Sequence, residues 1–243
     1  MRPNYHTKDK TMTTPQNVLL RIPIGGFVNV YLFRSQAGLC LIDAGTPFAT
    51  LGAVEKALRG WGHSWADVAH ILITHAHFDH VGALAKIQAK APQARTYAHA
   101  NEGPIIRGEK AMEVAARSGL RGADWLSSFM LAKQLPPAKV DQELREGDTP
   151  VPELEAVELF GHSRGQVGYW WREAGALMGG DVLMNSPRLT APLRAASPDW
   201  PAAKRSIEKV QGMNLEALHL GHGPSLKPPG AAALQAVLDR WQA

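Results

Sequence analysis

The chain has 243 residues, 45% hydrophobic and 20% charged, with a formal net charge of +4. That mixture supports a sizeable core, excludes a disordered or fibrous chain, and leaves no apolar stretch near the length of a membrane span. A single cysteine, Cys40, excludes an internal disulfide, and the basic pI of about 9.3 comes without a run of five like charges, so no polyanion-binding arm is signalled.

Residues 1–15 carry Arg2, Lys8 and Lys10 but no apolar run follows them. They read as a mobile tail, not a signal peptide, and a cytoplasmic protein is expected. Residues 16–243 are expected to form one domain. Residues 18–24 and 27–34 read as strands around the turn Gly25-Gly26. Residues 39–42 form a short apolar run that suits a strand buried on both faces, with Cys40 an inert buried thiol. Leu51, Val54, Leu58 and Trp61 recur at helical spacing, which predicts a helix over 48–60. Ser64 to Asp67 resembles a capping box opening a short turn. A strand over 69–74 runs directly into a His/Asp cluster, and a helix follows over 81–90. Residues 101–135 show a helical pattern in two parts divided at 119–122, read as a helical insertion over the site (about 101–137). Trp125, Phe129 and Met130 share one of its faces, for packing first and for lining a pocket second. Strands are expected at 154–160, 167–171 and 176–178. Ser197-Pro198 reads as an N-cap with proline in the first turn, opening a helix to about residue 211. A strand at 215–220 and a helix at 230–241 complete the chain. The order predicts two packed sheets with helices outside, a layered α/β (α+β) fold of αββα type.

The cluster His75-Ala76-His77-Phe78-Asp79-His80 carries the chemistry. Metal ions take lone pairs from neutral imidazole and from carboxylate. Side chains alternate along extended chain, so His75 and His77 share one side, and a turn at Phe78 can bring Asp79 and His80 to a neighbouring position. Further donors stand at strand ends beside glycine: His162 after Gly161, Asp181 after Gly180, and His222 between Gly221 and Gly223. Glycine allows the sharp turn and close approach needed there. Of the other histidines, His6, His63, His70, His99 and His219 are read as structural. Trp170-Trp171 is read as core. Arg164 is read equally as a surface residue or a contact to an anionic substrate.

Residues 74–82, Thr-His-Ala-His-Phe-Asp-His-Val-Gly, resemble the signature of the metallo-β-lactamase superfamily. Four more segments resemble its other motifs in order: Leu41 to Gly45, Gly161 to Gly168, Gly179 to Asp181, and Gly221 to Pro224. The resemblance implies a four-layer αββα sandwich and two divalent metal ions, zinc first, with iron or manganese compatible. It implies His75, His77 and His162 around one ion, Asp79, His80 and His222 around the other, and Asp181 between them. Asp43 would brace the cluster through hydrogen bonds without being a ligand. A metal-bridging hydroxide would be the nucleophile, and Asp79 would also relay a proton.

Within that superfamily, His80 and Asp181 fit glyoxalase II, lactonases and phosphodiesterases better than true β-lactamases. Residues 182–188 do not resemble the glutathione-binding stretch of glyoxalase II, and no tyrosine follows Asp181 as in the quorum-quenching lactonases. The expectation is hydrolysis of a small ester, thioester or lactone, with a small-molecule substrate and neither membrane nor nucleic acid as partner; a homodimer is admitted. The alternatives are a phosphodiesterase or nuclease on the same site, and an iron-dependent redox enzyme such as a sulfur dioxygenase.

Overall fold

A computed structural model of the chain describes residues 18–113 and 136–241. The expected N-terminal tail, and Trp125, Phe129 and Met130, lie outside the described residues. Among the described residues twelve strands are seen: β1 Leu19–Ile24, β2 Val28–Ser35, β3 Gly38–Ile42, β4 Val68–Leu72, β5 Arg95–His99, β6 Gln142–Leu144, β7 Glu155–Glu158, β8 Val167–Trp171, β9 Ala176–Met178, β10 Met184–Asn185, β11 Leu189–Thr190 and β12 Ala217–His219. The helices are α1 Thr50–Gly60, α2 Phe78–Val81, α3 Leu84–Lys90, α4 Gly103–Ile106, α5 Trp200–Gly212 and α6 Ala231–Asp239.

Strand alternation builds the layers. In β3, Leu39 and Leu41 face one core while Cys40 and Ile42 face another. The first core packs β1 to β4 against Val54 and Leu58 of α1 and Leu84 and Ile87 of α3. In the second, Tyr31, Phe33, Ile42 and Leu72 meet Ala156, Tyr169, Trp171 and Met178, so it lies between the sheets. The third sets Val157, Leu177 and Leu218 against Ile207 and Val210 of α5 and Leu234 and Val237 of α6. Helix, sheet, sheet and helix follow in that order, the αββα arrangement. Cys40 is fully buried, and burial pushes its thiol well above its ordinary pKa.

The larger sheet runs β1-β2-β3-β4-β5-β6, antiparallel through β3 and parallel beyond. The smaller runs β12-β9-β8-β7, with β8 antiparallel to both neighbours and β12 parallel to β9. Strands β3, β4 and β5 therefore point one way, and β7, β9 and β12 share a direction in the other sheet. All the proposed metal-holding residues follow the C-terminal ends of these strands.

Several expectations are corrected. The strand expected at 69–74 ends at Leu72, and the helix expected over 81–90 begins earlier and is broken. The break lies at Gly82-Ala83, where the Ala83 amide leaves the helical ladder and donates to the Gly45 carbonyl at 3.3 Å. Helix α5 is capped by Asp199, whose Oδ1 accepts from the Ala202 amide at 3.0 Å; Ser197 instead donates to the Leu193 carbonyl at 2.8 Å. Of the helical insertion, the described residues 101–113 hold just the four-residue α4, with Pro104 in its first turn and Gly108 at φ 74° after it. The second expected helix lies outside the described residues. Trp171 packs edge-on against Phe33 in the core, whereas Trp170 is part-buried under the Arg172 guanidinium at 3.8 Å. No helix among the described residues is long and apolar enough to cross a membrane.

Candidate metal centre

Leaving β4, the chain runs extended through His75 and His77 and turns into α2, which carries Asp79 and His80. His162 follows β7, Asp181 follows β9 and His222 follows β12. The structure brings all seven side chains together. Donor atoms of His75, His77 and His162 lie within 4.8 Å of one another, as do those of His75, His80 and Asp181, and of Asp79, His80 and His222. Asp181 stands centrally: its Oδ2 is 3.0 Å from His222 Nε2 and 3.4 Å from His162 Nε2, and its Oδ1 is 3.4 Å from His80 Nε2. His222 Nε2 is also 3.3 Å from Asp79 Oδ2.

The outer nitrogens of four rings are already engaged. His80 Nδ1 donates to Asp43 Oδ2 at 2.8 Å, and His222 Nδ1 donates to the Phe27 carbonyl at 2.9 Å. His162 Nδ1 is 3.3 Å from Ser197 Oγ. Thr74 Oγ1 donates to Asp43, so it accepts from His75 Nδ1 at 3.0 Å. With Nδ1 carrying the proton, each ring turns the Nε2 lone pair toward the cluster. His75 Nε2 and His77 Nε2 are buried with no partner, His80 Nε2 and Asp181 Oδ1 face each other at 3.4 Å, and His77 Nδ1 meets His162 Nε2 at 2.9 Å. Leaving such atoms unpaired costs about 1–3 kcal/mol each, and this donor set of imidazole and carboxylate is the one that divalent ions relieve. The residues present fit the metal ions.

Two buried carboxylates hold the loops. Asp43, at φ 63°, takes the Thr74 amide at 2.8 Å and the Thr74 hydroxyl besides His80, and so ties the end of β3 to the end of β4. Glu102 is the second. Its Oε2 accepts from the Ala76 amide at 2.8 Å, and its Oε1 accepts from Ser163 Oγ at 2.8 Å and the Gly165 amide at 2.7 Å. It therefore clamps the His75–His77 loop to the His162 loop. Burial pushes the Glu102 carboxyl up despite those donors. Sequence reasoning missed Glu102, Ser197 and the Phe27 carbonyl; an acidic residue before a proline-containing turn offered no signal of its own.

Packing also depends on glycine at one point. A Cβ on Gly221 would stand 2.0 Å from Asp181 Oδ1 and 2.7 Å from His80 Cε1. Asn29 fixes that loop, its Nδ2 donating to the Leu220 carbonyl at 2.8 Å and the Gly223 carbonyl at 2.7 Å.

Without metal, the cluster divides by charge. Burial holds His77 down at about 4 and His162 at about 3, and His75 well below its ordinary value. Burial also works against a charged His80 and His222, but Asp181 and its neighbours outweigh it. His222 is raised to about 10 and His80 well above its ordinary value. Protons there occupy the places next to Asp181 and Asp79 that a cation would take.

The remaining histidines of the described residues stand apart from the three donor groups. His99 Nε2 meets Glu158 Oε1 at 3.0 Å, His219 Nδ1 meets Ser225 Oγ at 2.8 Å, and His70 Nδ1 meets the Tyr97 hydroxyl at 3.2 Å. His63 lies 3.9 Å from Asp67, and His6 is outside the described residues. Arg164 is engaged by Glu113 at 3.0 Å and Asp199 at 3.3 Å.

Residues 23–222 match the metallo-beta-lactamase superfamily. The chain belongs to that superfamily. Among curated proteins it is similar to the probable metallo-hydrolase YflN of Bacillus subtilis (strain 168), 29% identical over 80% of each chain. It is 28% identical to a hydroxyacylglutathione hydrolase of Rhodospirillum rubrum, over 65% of this chain and 48% of that one. It is 24% identical to the acyl-coenzyme A thioesterase MBLAC2 of Gallus gallus, over 82% of this chain and 73% of that one. Among solved structures, TTHA1623 in a di-iron-bound form superposes with a TM-score of 0.62 at 28% identity, covering 88% of this chain and 92% of that one.

Proposed function

We propose that the chain is a metal-dependent hydrolase acting on a small ester, thioester or lactone. His75, His77 and His162 would hold one ion, Asp79, His80 and His222 a second, and Asp181 would serve both. The observation that carries the reading is the convergence of buried, unpartnered donor atoms with four imidazoles oriented from behind. Relatives named as a metallo-hydrolase, a hydroxyacylglutathione hydrolase and a thioesterase support the reaction class. Divalent ions bound there supply Lewis acidity, which lowers the pKa of water and offsets negative charge developing on a substrate oxygen.

The chain's own residues do the rest. Asp43, Ser197, Thr74 and the Phe27 carbonyl keep the rings in one tautomer, so the donor set is preorganised. Asp79 is the least buried of the donor carboxylates and borders the cavity above the cluster. Its carboxyl is held below the ordinary range: burial raises it, but His80 and His222 outweigh that. Asp79 Oδ2, 3.3 Å from His222 Nε2 and bordering the cavity, is the carboxylate placed to relay a proton to the leaving oxygen or sulfur.

The test is elemental analysis of purified protein followed by a panel of lactone, thioester, ester, phosphodiester and β-lactam substrates. Near two zinc or manganese ions per chain, with ester, thioester or lactone hydrolysis abolished by His80→Ala, is the expected result. One iron per chain with oxygen consumption and no hydrolysis overturns it.

A further inference from the structure

Above the cluster lies an open cavity of about 310 Å³. His77, Asp79, His162, Asp181 and His222 form its polar floor, and its walls are Phe27, Thr46, Phe78, Met184, Leu193 and Ala196. Neither lysine nor arginine is among these described lining residues. Three arginines on segments adjoining those that carry the floor and walls have partners of their own. Arg164 is paired with Glu113 and Asp199, and Arg21 donates to Asn29 and the Gly223 carbonyl. Arg194 donates to the Ser197 carbonyl and lies over the Trp200 ring at 5.0 Å.

Phe27 and Leu193 are two of the three large hydrophobic side chains left exposed among the described residues, at 56% and 37%. Apolar surface held in water beside a reactive cluster is stabilised when an apolar ligand covers it. Phe27 has two separate parts in this. Its carbonyl accepts from His222 Nδ1, while its ring tilts over the His222 ring at 4.6 Å and walls the cavity.

We infer that this site selects substrates with an uncharged, apolar acyl group, and that Phe27 and Leu193 grip it. This deepens the hydrolase reading and rests on it. At the roughly 30 Å³ that liquid water allots each molecule, the cavity has room for about ten non-hydrogen atoms in all, the metal ions and attacking water included, so about eight carbons is the upper limit for an acyl group. Water adds to the acyl carbon, the ester or thioester bond breaks, the acyl group leaves as the carboxylic acid, and the leaving oxygen or sulfur takes a proton. No oxidant or second substrate is needed. Among the described lining residues a charged acyl terminus would meet no cation.

The experiment has two arms. In the first, metal-loaded protein is assayed with p-nitrophenyl esters from acetate to decanoate, and with the monosuccinyl ester. The specificity constant kcat/KM is expected to rise about threefold to fourfold per added methylene, to level off near eight carbons, and to be at least tenfold lower for the succinyl ester than for the valeryl ester. Phe27→Ala, with parental metal content, flattens the series. In the second arm, metal-free protein is titrated with octanamide and butanamide, uncharged and not covalently reactive here. At least tenfold tighter binding of octanamide, lost in Phe27→Ala and Leu193→Ser, is expected. A flat or falling ester series, preference for the succinyl ester, or equal binding of the two amides overturns the acyl assignment and leaves the hydrolase reading standing. If no ester, thioester or lactone is hydrolysed by fully metal-loaded protein, the hydrolase reading falls and this assignment falls with it.

Discussion

Replacing Glu102 with alanine removes one acceptor group from three donors at once. The Ala76 and Gly165 amides would be left buried without a partner, while the Ser163 hydroxyl can rotate to seek another. Two orphaned amides cost about 2–6 kcal/mol together. Part of that is returned, because the native fold also buries the carboxyl, whose pKa burial raises. A net loss of about 2–4 kcal/mol follows, or a fall in Tm of roughly 5–15 °C for a domain of this size. Glutamine separates the two sides of the clamp. Its Oε1 can keep Ser163 and Gly165, but its amide nitrogen then faces the Ala76 N–H, donor against donor. Glu102→Gln should therefore keep the His162 loop and loosen the His75–His77 loop, giving an intermediate loss. Calorimetry of metal-free protein reads the stability, and competition with a chromophoric chelator reads metal affinity, expected to fall by about tenfold to a hundredfold in the alanine variant. A Glu102→Ala protein with parental Tm and parental metal affinity would refute the clamp.

Asp43→Ala deprives His80 Nδ1, the Thr74 amide and the Thr74 hydroxyl of their acceptor. Metal affinity should fall by about tenfold to a hundredfold, and an unchanged zinc titration would contradict the bracing role. In Gly221→Ala the new methyl must displace the Asp181 carboxylate; elemental analysis should show fewer ions per chain than in the parent, with far-ultraviolet circular dichroism retained. The metal-free chain should be most stable near pH 6.5. His222 has its folded pKa raised to about 10, so its contribution is complete below about 6.5 and is lost as pH rises toward 10. His77 and His162, lowered to about 4 and about 3, are buried neutral, so stability also falls as pH drops below about 6.5. Thermal melts of chelated protein across pH 4 to 10 check both limbs (about two pH units or more on either side of the histidine value), and a monotonic profile would count against this charge division.

Much of the centre is legible in the chain itself, because its chemistry is local. Extended backbone places His75 and His77 on one side by alternation, α2 follows at once with Asp79 and His80, and glycine marks the turns at His162, Asp181 and His222. The layered fold is legible for the same reason, since runs such as 39–42 and 167–171 carry the strand pattern in a few adjacent residues. What escapes is whatever depends on partners far apart in the chain. Glu102 and Ser163 are separated by 61 positions, and Phe27 and His222 by 195. The break between α2 and α3 likewise comes from the Gly45 carbonyl drawing the Ala83 amide out of the ladder. The order of residues determined which donor types are present and which strand ends carry them, because alternation and glycine turns act over a few residues. Tertiary packing alone decided which nitrogen of each ring faces the cluster and what kind of wall stands above it, because those depend on acceptors and apolar side chains delivered by separate loops.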